Sequence, residues 1–157
     1  SASVMEYLSY FENTYLFFFT PKFSYSLKVQ SVNPRKIYCI DNGLARINSV
    51  SFTEDRGRLL ENMVFLCLRR QTKEIFYFQE DHECDFVVFK QKKLIGLYQV
   101  SLRLAQDNME REVSGLMEAM KFFNVDKGSI ITMNQSDKFD KEGKMIEVVP
   151  YNAWQEF

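Results

Sequence analysis

Glu83-Cys-Asp-Phe-Val-Val-Phe-Lys90, then Gln91-Lys-Lys93, then Leu94-Ile-Gly-Leu-Tyr-Gln-Val-Ser101 anchors the architecture of the chain. Cys84 to Lys90 and Leu94 to Ser101 are apolar runs rich in β-formers, and the charged connection between them is too short for a crossover. They are therefore expected to form an antiparallel hairpin. Glu74 to Gln79 reads as a strand just before it. Downstream, Asp107 and Glu110 have the spacing of a helix N-cap and its capping-box partner, and Met109, Val113, Leu116, Met117, Met120 and Phe123 form one helical face ending near Asn124. Gly128 to Met133 then reads as a strand reached through a helical crossover, hence parallel to Leu94 to Ser101. Met145 to Val149 is a last strand, and residues 150–157 a terminal helix or turn.

Upstream, Ser51-Phe-Thr-Glu54 has capping-box spacing and should open a helix running to about Gln71. Leu59, Leu60, Met63, Val64, Phe65, Leu66, Cys67 and Leu68 cover nearly every direction around that helix, which places it centrally in a core. Glu61 is the one carboxylate embedded there. Lys36 to Asp41 is a short strand stopped at Asn42-Gly43, and Phe23, Tyr25, Leu27 and Val29 alternate with polar residues as a half-buried strand does. Val4, Leu8, Phe11, Tyr15 and Leu16 lie on one stripe of a first helix reaching about Phe17.

With 157 residues, 46% hydrophobic and 15% aromatic, the chain is expected to be one folded domain with an appended N-terminal element. Twenty basic and twenty-one acidic residues leave a charge of −1, so no overall field draws the molecule to phosphate or an anionic membrane. Any nucleic-acid contact would need a local patch. Cys39, Cys67 and Cys84 are odd in number, widely spaced and set among apolar residues, which reads as reduced core thiols of a cytoplasmic protein. His82 and Cys84 are the one close Cys/His pair, too little for a zinc site. No apolar run could span a bilayer, and no export leader is evident. The start at Ser-Ala-Ser, running directly into helical periodicity, is expected of a segment from a longer polypeptide.

Helix, three strands with a hairpin, crossover helix and strand is the order of the restriction-endonuclease-like, or PD-(D/E)xK, core. Within it, Lys36-Ile-Tyr-Cys-Ile-Asp41-Asn-Gly-Leu44, Gly57-Arg-Leu-Leu-Glu61-Asn62, Glu83-Cys-Asp85-Phe-Val-Val88 and Ser129-Ile-Ile-Thr132 resemble the C-terminal domain of unknown function carried by many bacterial and archaeal AAA-type ATPases. The resemblance spans roughly residues 5 to 155, and Tyr7-Leu-Ser-Tyr-Phe-Glu12 is similar to the segment closing a winged-helix-like linker after the ATPase module. It implies an α/β fold with a mixed sheet flanked by helices. Residues 1–33 are then an N-terminal helix-and-strand extension and residues 34–157 the restriction-endonuclease-like domain. No Gly-rich phosphate loop is present, so no cofactor is expected in this segment; ATP and Mg²⁺ belong to an ATPase portion outside it.

In active enzymes of that fold an Asp begins one strand, a Glu faces it from the next, and a Lys follows that Glu by two residues, on the same face of the strand. The carboxylates hold a divalent metal and the lysine positions or deprotonates water. Here Asp85 matches the first position, while Gln99 and Ser101 stand at the second and third. An amide oxygen lacks the charge that holds Mg²⁺ against its hydration, and a serine hydroxyl is neither cation nor base near neutral pH. Glu61, Asp85, Gln99 and Ser101 are thus candidates for a vestigial site. Glu61, Glu83 and Asp85 are the candidate metal ligands, and Arg103 lies two residues beyond Ser101.

Plainer readings stand beside these. Glu83 and Asp85 suit a solvated strand entrance, Glu61 a carboxylate favoured by a helix dipole, His82 an exposed turn and Asp41 a turn-former. The methionines suit core rather than an adaptable groove. Lys90, Lys92 and Lys93 on the hairpin tip, and Arg69, Arg70 and Lys73, could touch phosphate, yet charged turns are usually just solvated.

The expected function is a non-catalytic regulatory or partner-recognition domain of an AAA-type ATPase, acting with its own ATPase domain and a protein or nucleic-acid partner. The alternatives are a metal-dependent nuclease acting on DNA or RNA through Glu61, Asp85 and Glu83 or Gln99, and an assembly module packing through its first helix and the Phe23 to Val29 segment.

Overall fold

The computed structural model describes residues 2–47 and 56–154, and its centre is a six-stranded mixed sheet. Its strands are β3 (Glu74–Gln79), β4 (Glu83–Lys90), β5 (Lys93–Val100), β6 (Lys127–Thr132), β7 (Asp137–Lys141) and β8 (Lys144–Pro150), in the spatial order β3-β4-β5-β6-β8-β7. A separate hairpin pairs β1 (Phe17–Pro21) with β2 (Arg35–Cys39). The helices are α1 (Ala2–Asn13), α2 (Leu27–Val32), α3 (Asn42–Ile47), α4 (Arg56–Gln71), α5 (Met109–Phe122) and α6 (Tyr151–Trp154).

The hairpin read from Glu83 to Ser101 forms as expected, antiparallel and closed by Lys90 opposite Lys93. Gln91 and Lys92 both take positive φ (52° and 62°), the geometry of a tight primed turn that follows the twist of the strands. The crossover through α5 makes β6 parallel to β5, with Tyr98 opposite Ser129 and Val100 opposite Ile131. One core lies between the sheet and α5, where Val113, Leu116, Met117 and Met120 meet Val87, Leu97, Ile130 and Ile146. The other lies across the sheet, where Val64, Phe65 and Leu68 of α4 meet Ile75, Phe86, Val88, Ile131 and Trp154. Adjacent Val87 and Phe86, like Ile130 and Ile131, serve opposite faces because strand side chains alternate.

Gly115 marks the closest approach of α5 to β4, since a Cβ there would run into the Glu83 carbonyl. That contact sets the second turn of α5 beside the start of β4. On the other face, buried Asn62 of α4 clamps the hairpin: its Oδ1 accepts from Cys39 N–H (2.8 Å), and its Nδ2 donates to Cys39 O (2.9 Å) and Asn42 Oδ1 (2.8 Å).

Several expectations are corrected. Phe23 to Val29 is not a strand: Phe17–Pro21 takes the edge of β2, and α2 begins at Leu27. Phe23 instead packs its ring among Phe76, Phe89 and Phe123, leaving Tyr25 and Leu27 exposed. The first helix stops at Asn13 rather than near Phe17, because Tyr15 adopts φ 58° and Phe17 enters β1. Asn42-Gly43 opens α3, with Asp41 Oδ1 accepting from the Gly43 and Leu44 N–H groups, so Asp41 caps a helix. The N-cap of α5 is Asn108 rather than Asp107, and its side chain makes no capping hydrogen bond, its amide bonding the preceding loop instead. Met109 is 37% exposed rather than core. Strand β7 was not foreseen at all. The box expected at Ser51 to Glu54 lies outside the described residues.

The β1–β2 ladder joins residues on both sides of position 33. The three cysteines are free, with Cys39 and Cys84 buried and Cys67 partly so. Among the described residues no helix is long and apolar enough to cross a membrane.

Candidate functional site

An open cleft of about 640 Å³ is lined by the first half of α4, the start of β4 and the turn before it, the end of β5 and the loop after it, and the first turn of α5. Glu61, Asp85, Gln99 and Ser101 all line it, as do Glu83 and Arg103. The residues singled out from the sequence are therefore brought together. Lys90, Lys92 and Lys93 are not, for they sit exposed at the opposite end of β4 from Asp85. Arg69 lies over the Phe18 ring, 5.4 Å from its centroid.

Three of the lining acids converge on a residue that the sequence reading passed over. Lys36 reaches in from β2, and its Nζ lies 2.7 Å from Asp85 Oδ1, 2.7 Å from Glu83 Oε1 and 3.1 Å from Glu61 Oε1. An ammonium carries three protons, and three carboxylates receive them. Tyr38, two residues along the same strand and so on the same face, donates its hydroxyl to Glu61 Oε1 at 2.7 Å. Burial, and then the negative charge of Glu61 and Asp85, hold the Tyr38 phenol well above its ordinary range, so it remains a donor. Burial opposes the charge on Lys36, but the attraction of Asp85 and Glu61 outweighs it and raises the ammonium pKa.

Asp85 is the most deeply buried of the three acids, and its Oδ2 also accepts the Val100 N–H at 2.9 Å. Burial pushes its carboxyl up to about 7 against the pull of Lys36, and the Glu61 charge adds to the rise. Three acids share one ammonium, and the most desolvated one bears the imbalance.

Gln99 has no free end. Its Oε1 accepts the Asp85 N–H (3.2 Å) and its Nε2 donates to Glu112 Oε2 (2.8 Å), while Arg111 binds the other oxygen of that buried glutamate. Ser101 is similarly engaged: its hydroxyl donates to Arg103 O (2.9 Å) and accepts from Asn108 Nδ2 (3.2 Å). His82, in the exposed turn, donates its N–H to Glu118 Oε2 at 2.9 Å.

A divalent metal, which the family resemblance implies, does not fit this arrangement. The point at which Glu61, Glu83 and Asp85 converge is taken by Lys36 Nζ, and among the described residues no group of His, Cys, Asp and Glu is set to hold an ion.

Lys36, Tyr38 and Glu112 are the site residues that sequence reasoning missed. Two signals were available. Glu112 falls one turn before Leu116, inside the apolar stripe of its helix, and Lys36 and Tyr38 share a face of a strand otherwise rich in apolar residues.

The chain is 34% identical over 162 residues to an uncharacterized protein of Methanocaldococcus jannaschii, a match covering 96% of this chain and 35% of that protein. It thus spans about a third of the length of the curated relative it matches. No protein-family profile and no solved structure matches the chain.

Proposed function

We propose that this chain is a non-catalytic regulatory or partner-recognition domain built on a restriction-endonuclease-like core, within a larger AAA-type ATPase polypeptide. The observation that carries this reading is the closed hydrogen bonding of Gln99. Its amide spans from the Asp85 backbone to Glu112, so the position that would supply an anionic metal ligand is committed to holding β4, β5 and α5 together. Ser101, at the position of the activating lysine, is likewise tied to Asn108 and the Arg103 carbonyl. The mixed sheet flanked by helices agrees with the expected core, and a relative almost three times as long leaves room for an ATPase portion there.

A metal-dependent nuclease is the second reading. Lys36 favours it in one respect, because its ammonium returns to the pocket the positive charge that Ser101 does not carry. Incubating the purified chain and its Asp85→Asn variant with labelled single- and double-stranded DNA and RNA, in Mg²⁺ or Mn²⁺, separates the two. The first reading expects intact substrate with both proteins. Cleavage by the wild type that disappears in Asp85→Asn would establish the second.

A further inference from the structure

The point on which the pocket's three acids converge is already occupied, and its occupant is part of the chain. Lys36 is four-fifths removed from solvent at its side chain, Asp85 more so, and the three nearest carboxylate oxygens surround Nζ at 2.7, 2.7 and 3.1 Å. Such distances are those of charge-assisted hydrogen bonds with every ammonium proton used.

We propose that Lys36 is the resident cation of this pocket: its ammonium takes the place of a divalent metal, and the pocket accepts such a metal only when Lys36 is removed. Glu61, Glu83 and Asp85 come from α4 and from alternate positions of β4, and each presents a hard oxygen toward one point. A small divalent ion would need that same point, so ammonium and metal exclude each other. The lysine also arrives with its strand. Tyr38 binds Glu61, and Asn62 holds Cys39, so occupation of the pocket is the same event as docking of the β1–β2 hairpin onto α4. Lys36 thereby ties the N-terminal hairpin to the large sheet without a metal.

This inference goes beyond the non-catalytic reading, since it concerns which cation the pocket holds and not whether substrate is cut. Its test is Mn²⁺ titration, followed by calorimetry and by the Mn²⁺ electron paramagnetic resonance signal, on the wild type, Lys36→Met, and Lys36→Met combined with Asp85→Asn. The wild type should show no saturable binding, Lys36→Met should bind one Mn²⁺, and the double variant should lose it. Binding by the wild type that Asp85→Asn abolishes would overturn the proposal, as would a folded Lys36→Met that ignores Mn²⁺. If Lys36→Met does not fold alone, it and Lys36→Gln are refolded with and without Mn²⁺. Recovery of native circular dichroism only with the metal supports the assignment, and no recovery in either variant overturns it. A wild type that binds Mn²⁺ yet leaves nucleic acid intact would remove this inference alone.

Discussion

Lys36 Nζ and Asp85 Oδ1 lie 2.7 Å apart although 49 residues separate them in the chain. The contact joins the N-terminal hairpin to the second strand of the large sheet, and both partners are largely shielded from water. In such surroundings the cost of removing one partner exceeds the net worth of the pair, because the other is left desolvated and uncompensated.

Lys36→Met should therefore destabilise the fold by about 3 kcal/mol. Much of that loss should vanish when Asp85 is also changed to Asn, since one fewer carboxylate then remains unpaired. Urea denaturation of the two single variants and the double variant measures this, with a coupling energy of about 1–3 kcal/mol expected between contacting charges. Additive effects would show that the two groups do not interact in solution.

The raised carboxyl of Asp85 sets the sign of a pH dependence. Its folded value of about 7 lies above the ordinary 3.8, so between those limits the native state holds a proton that the unfolded chain releases. Stability contributed by this group is present at pH 4 and is lost as pH rises toward 7, with a slope of at most roughly 1.4 kcal/mol per pH unit. Lys36 stays protonated throughout this window and adds no slope. Denaturation midpoints followed from pH 4 to pH 7.5 should fall more steeply for the wild type than for Asp85→Asn; parallel curves would refute the assignment.

The large sheet was legible where strands announce themselves locally. Glu74 to Gln79, the hairpin around Lys90 and the parallel partner at Gly128 follow from β-forming runs and from connection length alone, and they place Asp85 and Gln99 on adjacent strands. The N-terminal region was less legible because its alternating pattern, Phe23 to Val29, touches the edge strand β3 only at its start, through Phe23 N–H to Tyr77 O, and is otherwise held by an aromatic cluster formed from distant residues. Strand β7, Asp-Lys-Phe-Asp-Lys, has a single apolar residue and exists through pairing with β8. For the site, the resemblance to the restriction-endonuclease-like pattern pointed to Glu61 and Asp85. The shared strand face of Lys36 and Tyr38 marked that pair locally, but their partners were set by tertiary packing, which local spacing does not encode.

Gly115→Ala should disturb the site from a distance. The added Cβ meets the Glu83 backbone, which cannot yield as a flexible side chain can, so α5 must move away from β4. A destabilisation of about 1–3 kcal/mol is expected for overpacking of this kind. The lever arm to Glu112 should also loosen the Gln99 amide, read as faster hydrogen exchange at the Asp85 N–H. An unchanged exchange rate would show that the helix contact does not support the pocket.

Gln99→Glu offers the sharpest trial of what this amide does. In a pocket needing an anionic ligand the substitution would be welcome. Here it sets a second carboxylate against buried Glu112, removes the Nε2 donor and leaves two acceptors facing each other where a 2.8 Å hydrogen bond stood. A loss of about 2–3 kcal/mol is expected, from a buried acceptor left unsatisfied together with like-charge repulsion. Adding Glu112→Gln returns a donor to the pair and should recover most of it. Chemical denaturation of the two single variants and the double variant decides the matter: if Gln99→Glu alone were neutral, the amide would not be the structural tie between β5 and α5, and the argument for a non-catalytic pocket would lose its principal support.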